Sequence, residues 1–276
     1  VANTSGVVRY TYQLGQTEKA GDPEDFITGI SSGGYNQHWT RNILFDKDRL
    51  FLSIGSESNV DADPLPRASI QVYDLNGKNP QTYAHGLRNP IGLAVHPTTG
   101  VLYTAVNERD ELGDNLVPDY LTSVQEGGFY GWPYAYLSAI NLDPRRMKGG
   151  KSERPDLAEK TITPEVLFES HSAALGLAFY TGKQLPEEYR GDAFVAFHGS
   201  WNRSKGTGYK VVRISFDQVG KPKGGYEDFL TGWLTEPEIP AAWGRPVGVT
   251  MAPDGSLLIT DDTGGVVWRV SYTGKK

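Results

Sequence analysis

Two sets of residues in this chain have types and spacing that could do chemistry together. The first is a run of oxygen donors, Asn107-Glu108-Arg109-Asp110-Glu111-Leu112-Gly113-Asp114-Asn115-Leu116-Val117-Pro118-Asp119, which puts five carboxylates into a segment with little helical or strand character. Loops of this kind suit calcium, which takes carboxylate and backbone carbonyl oxygens without strict geometry. The spacing is not that of an EF-hand, and a solvated acidic loop is the ordinary alternative. The second set is His38 with Arg41, Arg88 with Asn89, His171, and Arg245. Planar guanidinium groups bind carboxylates through paired hydrogen bonds, and a neutral imidazole accepts a proton near pH 7. For each arginine taken singly, a structural salt bridge is an equally good reading. His85 and His96 read as surface or turn residues.

What would bring these residues together is a repeat. Asn89-Pro90-Ile91-Gly92-Leu93-Ala94-Val95-His96-Pro97 resembles Arg245-Pro246-Val247-Gly248-Val249-Thr250-Met251-Ala252-Pro253, and weaker copies start at Arg41 and Ala174. Each copy reads as strand, turn, strand. Units of this kind recurring at intervals of roughly 40 to 50 residues or more mark propeller blades, whose sheets cannot bury their faces alone. Hairpins in a sandwich are the competing arrangement. In a propeller the innermost strand of each blade starts at the mouth of the central channel, so the residues that preface each repeat converge on one cavity.

Composition agrees with an all-β chain: 33 glycines, 17 prolines, 15 tyrosines and 6 tryptophans over 276 residues fit many short strands and tight turns. One helical turn or two is expected at Pro118–Gln125, and residues Asp143–Pro164 read as a polar surface excursion. The expectation is a single β-propeller domain over residues 1–276. Formal net charge is −6, with 33 acidic against 27 basic residues, which argues against a nucleic-acid partner. No run is long and apolar enough for a membrane span, and VANTSGVVRY has no signal-peptide pattern. With no cysteine, a metal must be held by oxygen or imidazole, and redox chemistry needs a cofactor.

The acidic loop, with Pro118-Asp119-Tyr120-Leu121 and Gly128-Phe129-Tyr130-Gly131-Trp132-Pro133-Tyr134 after it, closely resembles a segment of the pyrroloquinoline-quinone (PQQ) dependent sugar dehydrogenases. That family includes soluble glucose dehydrogenase, sorbosone dehydrogenases and fungal pyranose dehydrogenases, and the Asn-Glu-Arg-Asp variant is typical of the sorbosone and pyranose branch. The resemblance implies a six-bladed propeller that holds PQQ and Ca²⁺. It implies His38, in Gln37-His38-Trp39-Thr40-Arg41, as general base. It implies cofactor contacts from Arg41, Arg88, Asn89, Trp201, Asn202, Arg203 and Arg245, and calcium bound by backbone carbonyls of Arg109 and Asp110.

The resemblance further implies a sugar substrate, an external electron acceptor such as a cytochrome domain or protein, and an extracellular or periplasmic location. Alignment to the family begins inside its second blade, at Val7–Tyr12, so the expectation is a propeller lacking its opening blade and part of the next. Two rival activities stand beside the dehydrogenase. One is a calcium-dependent propeller lactonase or hydrolase, with several carboxylates and asparagines facing the metal. The other is a non-catalytic carbohydrate-binding propeller using exposed Trp39, Trp132, Trp201 and Trp243 as stacking platforms.

Overall fold

Strand runs such as Leu50–Ile54 and Ala193–Phe197 are buried at every position, so a sheet with one wet face cannot accommodate them. Both faces must be covered. The computed structural model, which describes residues 1–30 and 37–274, does this by standing sheets face to face around an axis, as a β-propeller.

Among the described residues four antiparallel sheets form consecutive blades. Blade 1 runs Arg41–Asp46, Arg49–Ile54, Ser69–Asp74 and Gln81–His85, with Gly128–Phe129 added in parallel at its outer edge. Blade 2 runs Asn89–Val95, Leu102–Asn107, Tyr120–Ser123 and Val166–Leu167. Blade 3 runs Ala174–Phe179, Ala193–Phe197, Lys210–Ile214 and Glu227–Leu230. Blade 4 runs Pro246–Met251, Leu257–Asp261 and Val266–Val270. The first strand of each blade is the innermost.

Alternation along each strand divides its side chains between two neighbours. Phe51 joins Leu102, Val106 and Tyr120 between blades 1 and 2, whereas Leu50, Leu52 and Ile54 pack against the hairpin Val7–Thr11/Ala20–Ile27. Tyr103, Ala105 and Leu121 turn the other way and meet Phe179, Val195 and Phe197 of blade 3. Phe194 and Val211 face Val249, Leu257 and Ile259 of blade 4. The core is therefore a series of layers between blades.

The repeated glycine has a packing reason. Inner strands of blades 2 and 3, and of blades 3 and 4, lie side by side. A Cβ on Gly92 would collide with the Leu175 carbonyl, and one on Gly176 would sit 2.6 Å from the Val247 carbonyl oxygen. Pairing also slips at each copy, between Pro90 and Leu93, Ala174 and Leu177, and Pro246 and Val249. Such bulges bend a strand and re-aim its side chains. The blade 1 copy, which has no glycine there, pairs in unbroken register.

Three expectations are corrected. The helix expected at Pro118–Gln125 is the strand Tyr120–Ser123, because Tyr120 and Leu121 are needed in the layers on opposite sides of blade 2. His96 is buried between Phe179 and Phe216, its Nδ1 accepting the N–H groups of Thr98 and Thr99. Trp132 is buried too, its Nε1 donating to the Asn59 carbonyl at 2.9 Å, so it offers no stacking platform. Residues 143–164 do run along the surface, as a 3₁₀ turn at Pro144–Arg146, a two-residue hairpin and one helical turn at Pro155–Ala158.

The layered contact gives a first prediction. Gly176→Ala forces the inner strands of blades 3 and 4 apart and destabilises the fold by about 1–3 kcal/mol, read as a lower melting temperature. An unchanged midpoint contradicts the packing described.

Candidate functional site

Alternate residues at the start of each inner strand line one cavity in two rungs. Thr40, Asn89, Ala173 and Arg245 form the outer rung, and Asn42, Ile91, Leu175 and Val247 the inner one. This part of the cavity encloses about 450 Å³, and a contiguous part of about 280 Å³ lies toward the acidic loop, with His38, Trp39, Asn89, Asn107 and Trp201 common to both.

His38 sits on the cavity wall with its tautomer fixed. Its Nδ1 lies 3.0 Å from the Ser56 carbonyl and 2.9 Å from Ser56 Oγ, whose own hydrogen goes to the Ser58 carbonyl. Carbonyl oxygens only accept, so Nδ1 carries the proton and Nε2 keeps its lone pair. Among the described residues nothing bonds to Nε2. Burial, aided by the Arg88 charge, pushes the pKa down to about 3, and the ring is neutral at pH 7.

Beneath the acidic loop, Asp110 is a hub. Arg88 Nη2 reaches its Oδ2 at 3.1 Å, Asn202 Nδ2 donates to Oδ1 at 2.7 Å, and His171 Nδ1 lies 3.4 Å from Oδ1. Burial opposes the charge of Asp110, but the His171 and Asn202 bonds and the Arg88 guanidinium outweigh it and hold the carboxyl below the usual carboxylate range. The same pairing lifts the pKa of His171, whose Nε2 faces the Gly113 carbonyl at 3.0 Å.

Asn59 locks the loop from blade 1. Its Oδ1 accepts from the Asp110 N–H at 2.8 Å and from Arg88 Nη2 at 3.0 Å, and its Nδ2 donates to the Asp110 carbonyl at 3.2 Å. Its own carbonyl accepts from Arg88 Nε at 3.0 Å as well as from Trp132.

The expected gathering of guanidinium groups is corrected by this arrangement. Arg41 is buried outside the cavity lining and spends Nη1 on the carbonyls of His38 and Thr40, fixing the turn that carries the base. Burial and Arg67 push its pKa down to about 10. Arg203 is also absent from the lining: it pairs with Glu169 and donates to the carbonyls of Asp114 and Ser170. Arg88 lines the cavity but is matched by Asp110. Arg245 lines it without a carboxylate partner among the described residues; Nε and Nη2 donate to the carbonyls of His198 and Gly199 at 3.0 and 2.8 Å, and its guanidinium lies 5.5 Å from the Tyr209 ring centroid.

Asn89, Trp201 and Asn202 all line the cavity. Arg109 is buried, with its guanidinium 3.2 Å from Asp143 and pointing away from the loop it belongs to. Its carbonyl accepts only a long N–H contact from Val117 at 3.5 Å, and the Asp110 carbonyl accepts only from Asn59 among the described residues. Each oxygen keeps a lone pair. Such carbonyls fit the donor preference of an oxygen-seeking cation, and no group of three or more His, Cys, Asp or Glu that could hold a metal ion is found among the described residues. An arginine without a carboxylate partner among those residues, beside exposed indoles, likewise fits a flat, carboxylate-bearing aromatic ligand. Ser56, Asn59 and Asp262 escape a reading of the sequence, since they lie in loops outside the repeat.

Two predictions come from this geometry. Asn59→Ala removes bonds to Arg88 and to both backbone groups of Asp110, so amides of the loop after Asn107 exchange with deuterium faster than in the parent; equal rates contradict the lock. Glu108 is buried with Oε1 unpartnered, and burial lifts its pKa to about 8 from an ordinary 4.5. A raised carboxyl pKa stabilises the fold fully below about 4.5, and that contribution is lost as pH rises through about 8. Glu108→Gln therefore flattens the fall in melting temperature between about pH 4.5 and 8, and an undiminished fall contradicts the assignment.

Comparison with known proteins shows what this chain is similar to. A profile described as glucose/sorbosone dehydrogenase matches residues 67–200, and one described as TrAA12-like matches residues 147–273. An uncharacterized protein of Borreliella burgdorferi is 34% identical over 238 residues, which cover 85% of this chain and 61% of that protein. A PQQ-dependent sugar dehydrogenase of Hypocrea jecorina is 24% identical, over 94% of this chain and 68% of its own length. The PQQ domain of Coprinopsis cinerea pyranose dehydrogenase, solved in its holo form, shares the fold with a TM-score of 0.77 at 21% identity, over 98% of this chain and 78% of that one. The chain spans less than two thirds of the Borreliella protein, and only part of each of these relatives. The chain is thus similar to proteins described as glucose/sorbosone dehydrogenase, TrAA12-like and PQQ-dependent sugar dehydrogenase, and it shares the fold of a pyranose dehydrogenase PQQ domain.

Proposed function

We propose that this chain is the sugar-oxidising propeller of a quinoprotein dehydrogenase, with His38 as the base that takes the proton of the hydroxyl being oxidised. The observation that carries this reading is the fixed tautomer of His38: Nδ1–H is committed to Ser56, and Nε2, without a partner among the described residues, belongs to a neutral ring on a cavity that also holds Arg245, which has no carboxylate partner among the described residues.

When bound, PQQ supplies the hydride acceptor and calcium supplies Lewis-acid polarisation. Arg245 would hold a carboxylate of the cofactor, with Asn89, Asn202 and Trp201 lining the same space, and the carbonyls of Arg109 and Asp110 would hold the calcium. The chain's own part in the reaction is positional and basic. Ser56 and Arg41 hold the His38 turn, so Nε2 can meet a hydroxyl without a change of tautomer. Negative charge entering the cavity offsets Arg88 and makes His38 a stronger base than it is in the free protein. Trp39 and Trp201, 66% and 76% exposed, flank the entrance with apolar faces that suit the C–H face of a sugar ring.

In this reading the reduced cofactor passes its electrons to an external acceptor, and the location is extracellular or periplasmic, as the kinship implies. The lactonase reading calls for several carboxylates and asparagines facing the metal and for lactone cleavage without added quinone; no group of three or more His, Cys, Asp or Glu that could hold a metal is found among the described residues. Dye reduction by aldoses after addition of PQQ and calcium tests the proposal. His38→Ala should lower kcat at least about 100-fold with quinone affinity retained. Failure to bind quinone in the presence of calcium overturns the reading, and an unchanged kcat removes His38 from its role.

A further inference from the structure

The cavity carries a second oriented histidine. His198 Nε2 lies 3.0 Å from both Oδ1 and Oδ2 of Asp262, and all three atoms belong to residues that line the cavity wall shared with His38. A carboxylate only accepts, so Nε2 carries the proton and Nδ1 keeps a lone pair with no partner among the described residues. Burial and the neighbouring Arg245 lower the pKa of His198, leaving the ring neutral. Arg245 also clamps the turn itself through the carbonyls of His198 and Gly199.

Asp262 contrasts with its neighbour Asp261. Asp261 is buried, and its oxygens take N–H groups from Trp233, Trp268, Arg245 and Gly264, which is a structural assignment for a carboxylate. Asp262 has a side chain 56% exposed, and besides His198 it meets only Thr263 Oγ1 at 3.4 Å among the described residues. It holds no strand or turn together. Three residues beyond His198, the Trp201 indole stands largely bare at the same cavity. A polar wall of acceptors facing an apolar aromatic surface matches a molecule with hydroxyls on its edge and C–H groups on its face. Pyranose sugars have that shape, and the part of about 450 Å³ with the contiguous part of about 280 Å³ gives the sugar room beside the cofactor.

We propose that His198 Nδ1, oriented by the bond from Nε2 to Asp262, accepts a hydrogen bond from a sugar hydroxyl other than the one being oxidised, and so determines which sugars this chain accepts. The proposal rests on the carbohydrate-oxidising reading above. It gives the two neutral imidazoles different roles, His38 taking a proton while His198 with Asp262 recognises a hydroxyl. A site built to bond a hydroxyl discriminates strongly against the analogue lacking it, because its own polar groups are then left unpaired.

The test uses the cofactor-free full chain, titrated with aldoses and a panel of monodeoxy analogues while tryptophan fluorescence is followed. The parent protein should bind at least one aldose and lose affinity for one particular deoxy analogue. Asp262→Asn and His198→Gln should each weaken the aldose about 10-fold or more, yet leave affinity for that deoxy analogue unchanged. Melting temperatures near the parent's show that the fold is intact, and Asp262→Glu should restore part of the affinity. Sugar binding by the parent with equal losses across the whole panel, or no loss at all, overturns this proposal while the dehydrogenase reading stands. No sugar binding by the parent overturns this proposal, whereas the dehydrogenase reading is decided separately by quinone binding and aldose-dependent dye reduction.

Discussion

An ion pair between the buried Arg88 and the half-buried Asp110 holds the mouth of this propeller in shape. Arg88 precedes the inner strand of blade 2 and Asp110 lies in the loop after that blade's second strand, yet their partners come from elsewhere: Asn59 from blade 1, and His171 and Asn202 from blade 3. Such a pair is not in itself a large source of stability, since desolvation offsets much of its attraction. Removing one partner is another matter, because it leaves an uncompensated buried charge at a cost of about 3–5 kcal/mol. The pair therefore acts as a specification. It admits one conformation of an acidic loop that would otherwise be solvated and variable, and in that conformation the carbonyls of Arg109 and Asp110 keep lone pairs available.

Around that fixed point, charge is distributed unevenly. Four arginines stand near the channel by sequence, and three are balanced or committed locally: Arg88 to Asp110, Arg203 to Glu169, and Arg41 to carbonyls under His38. Arg245 alone of the four lines the cavity without a carboxylate partner among the described residues. Such a cation in a concave, partly dry site attracts an anion more selectively than a broad basic patch, and it does so in a chain whose overall charge is −6. Two neutral imidazoles with opposite tautomers complete the wall, His38 protonated on Nδ1 and His198 on Nε2.

Much of this is legible in the sequence because it follows from a repeat. A glycine early in each bulged inner strand, in Pro-x-Gly in blades 2 and 4 and Ala-x-Gly in blade 3, marks the repeat, and the positions before it identify Asn89 and Arg245 as one rung of the channel, with Ala173 standing where the sequence suggested His171. His38 is reachable by the same alignment, even though its blade has no glycine. What the repeat does not encode is where a charged side chain spends its hydrogen bonds. Arg41 and Arg203 read as cavity residues because their positions are right, but carbonyls and carboxylates within a few ångströms claim them. Asn59, Ser56 and Asp262 lie in loops whose conformations depend on contacts far along the chain. Tyr120–Ser123 misleads for a related reason: its apolar spacing suits a short helix, and only the two neighbouring blades decide that both faces of a strand are needed. Trp132 and His96 are buried by partners more than 70 residues away, Asn59 and Phe179 among them.

Anaerobic reduction of bound quinone in a single turnover bears most directly on the central claim that this cavity oxidises a sugar with His38 as base. With PQQ and calcium bound to the protein and no acceptor present, mixing with an accepted aldose should bleach the oxidised-quinone absorbance in one exponential phase, and the same mixing with His38→Ala should slow that phase at least about 100-fold. Quinone that binds but keeps its oxidised spectrum with every aldose, or that is reduced equally fast without His38, would contradict the account.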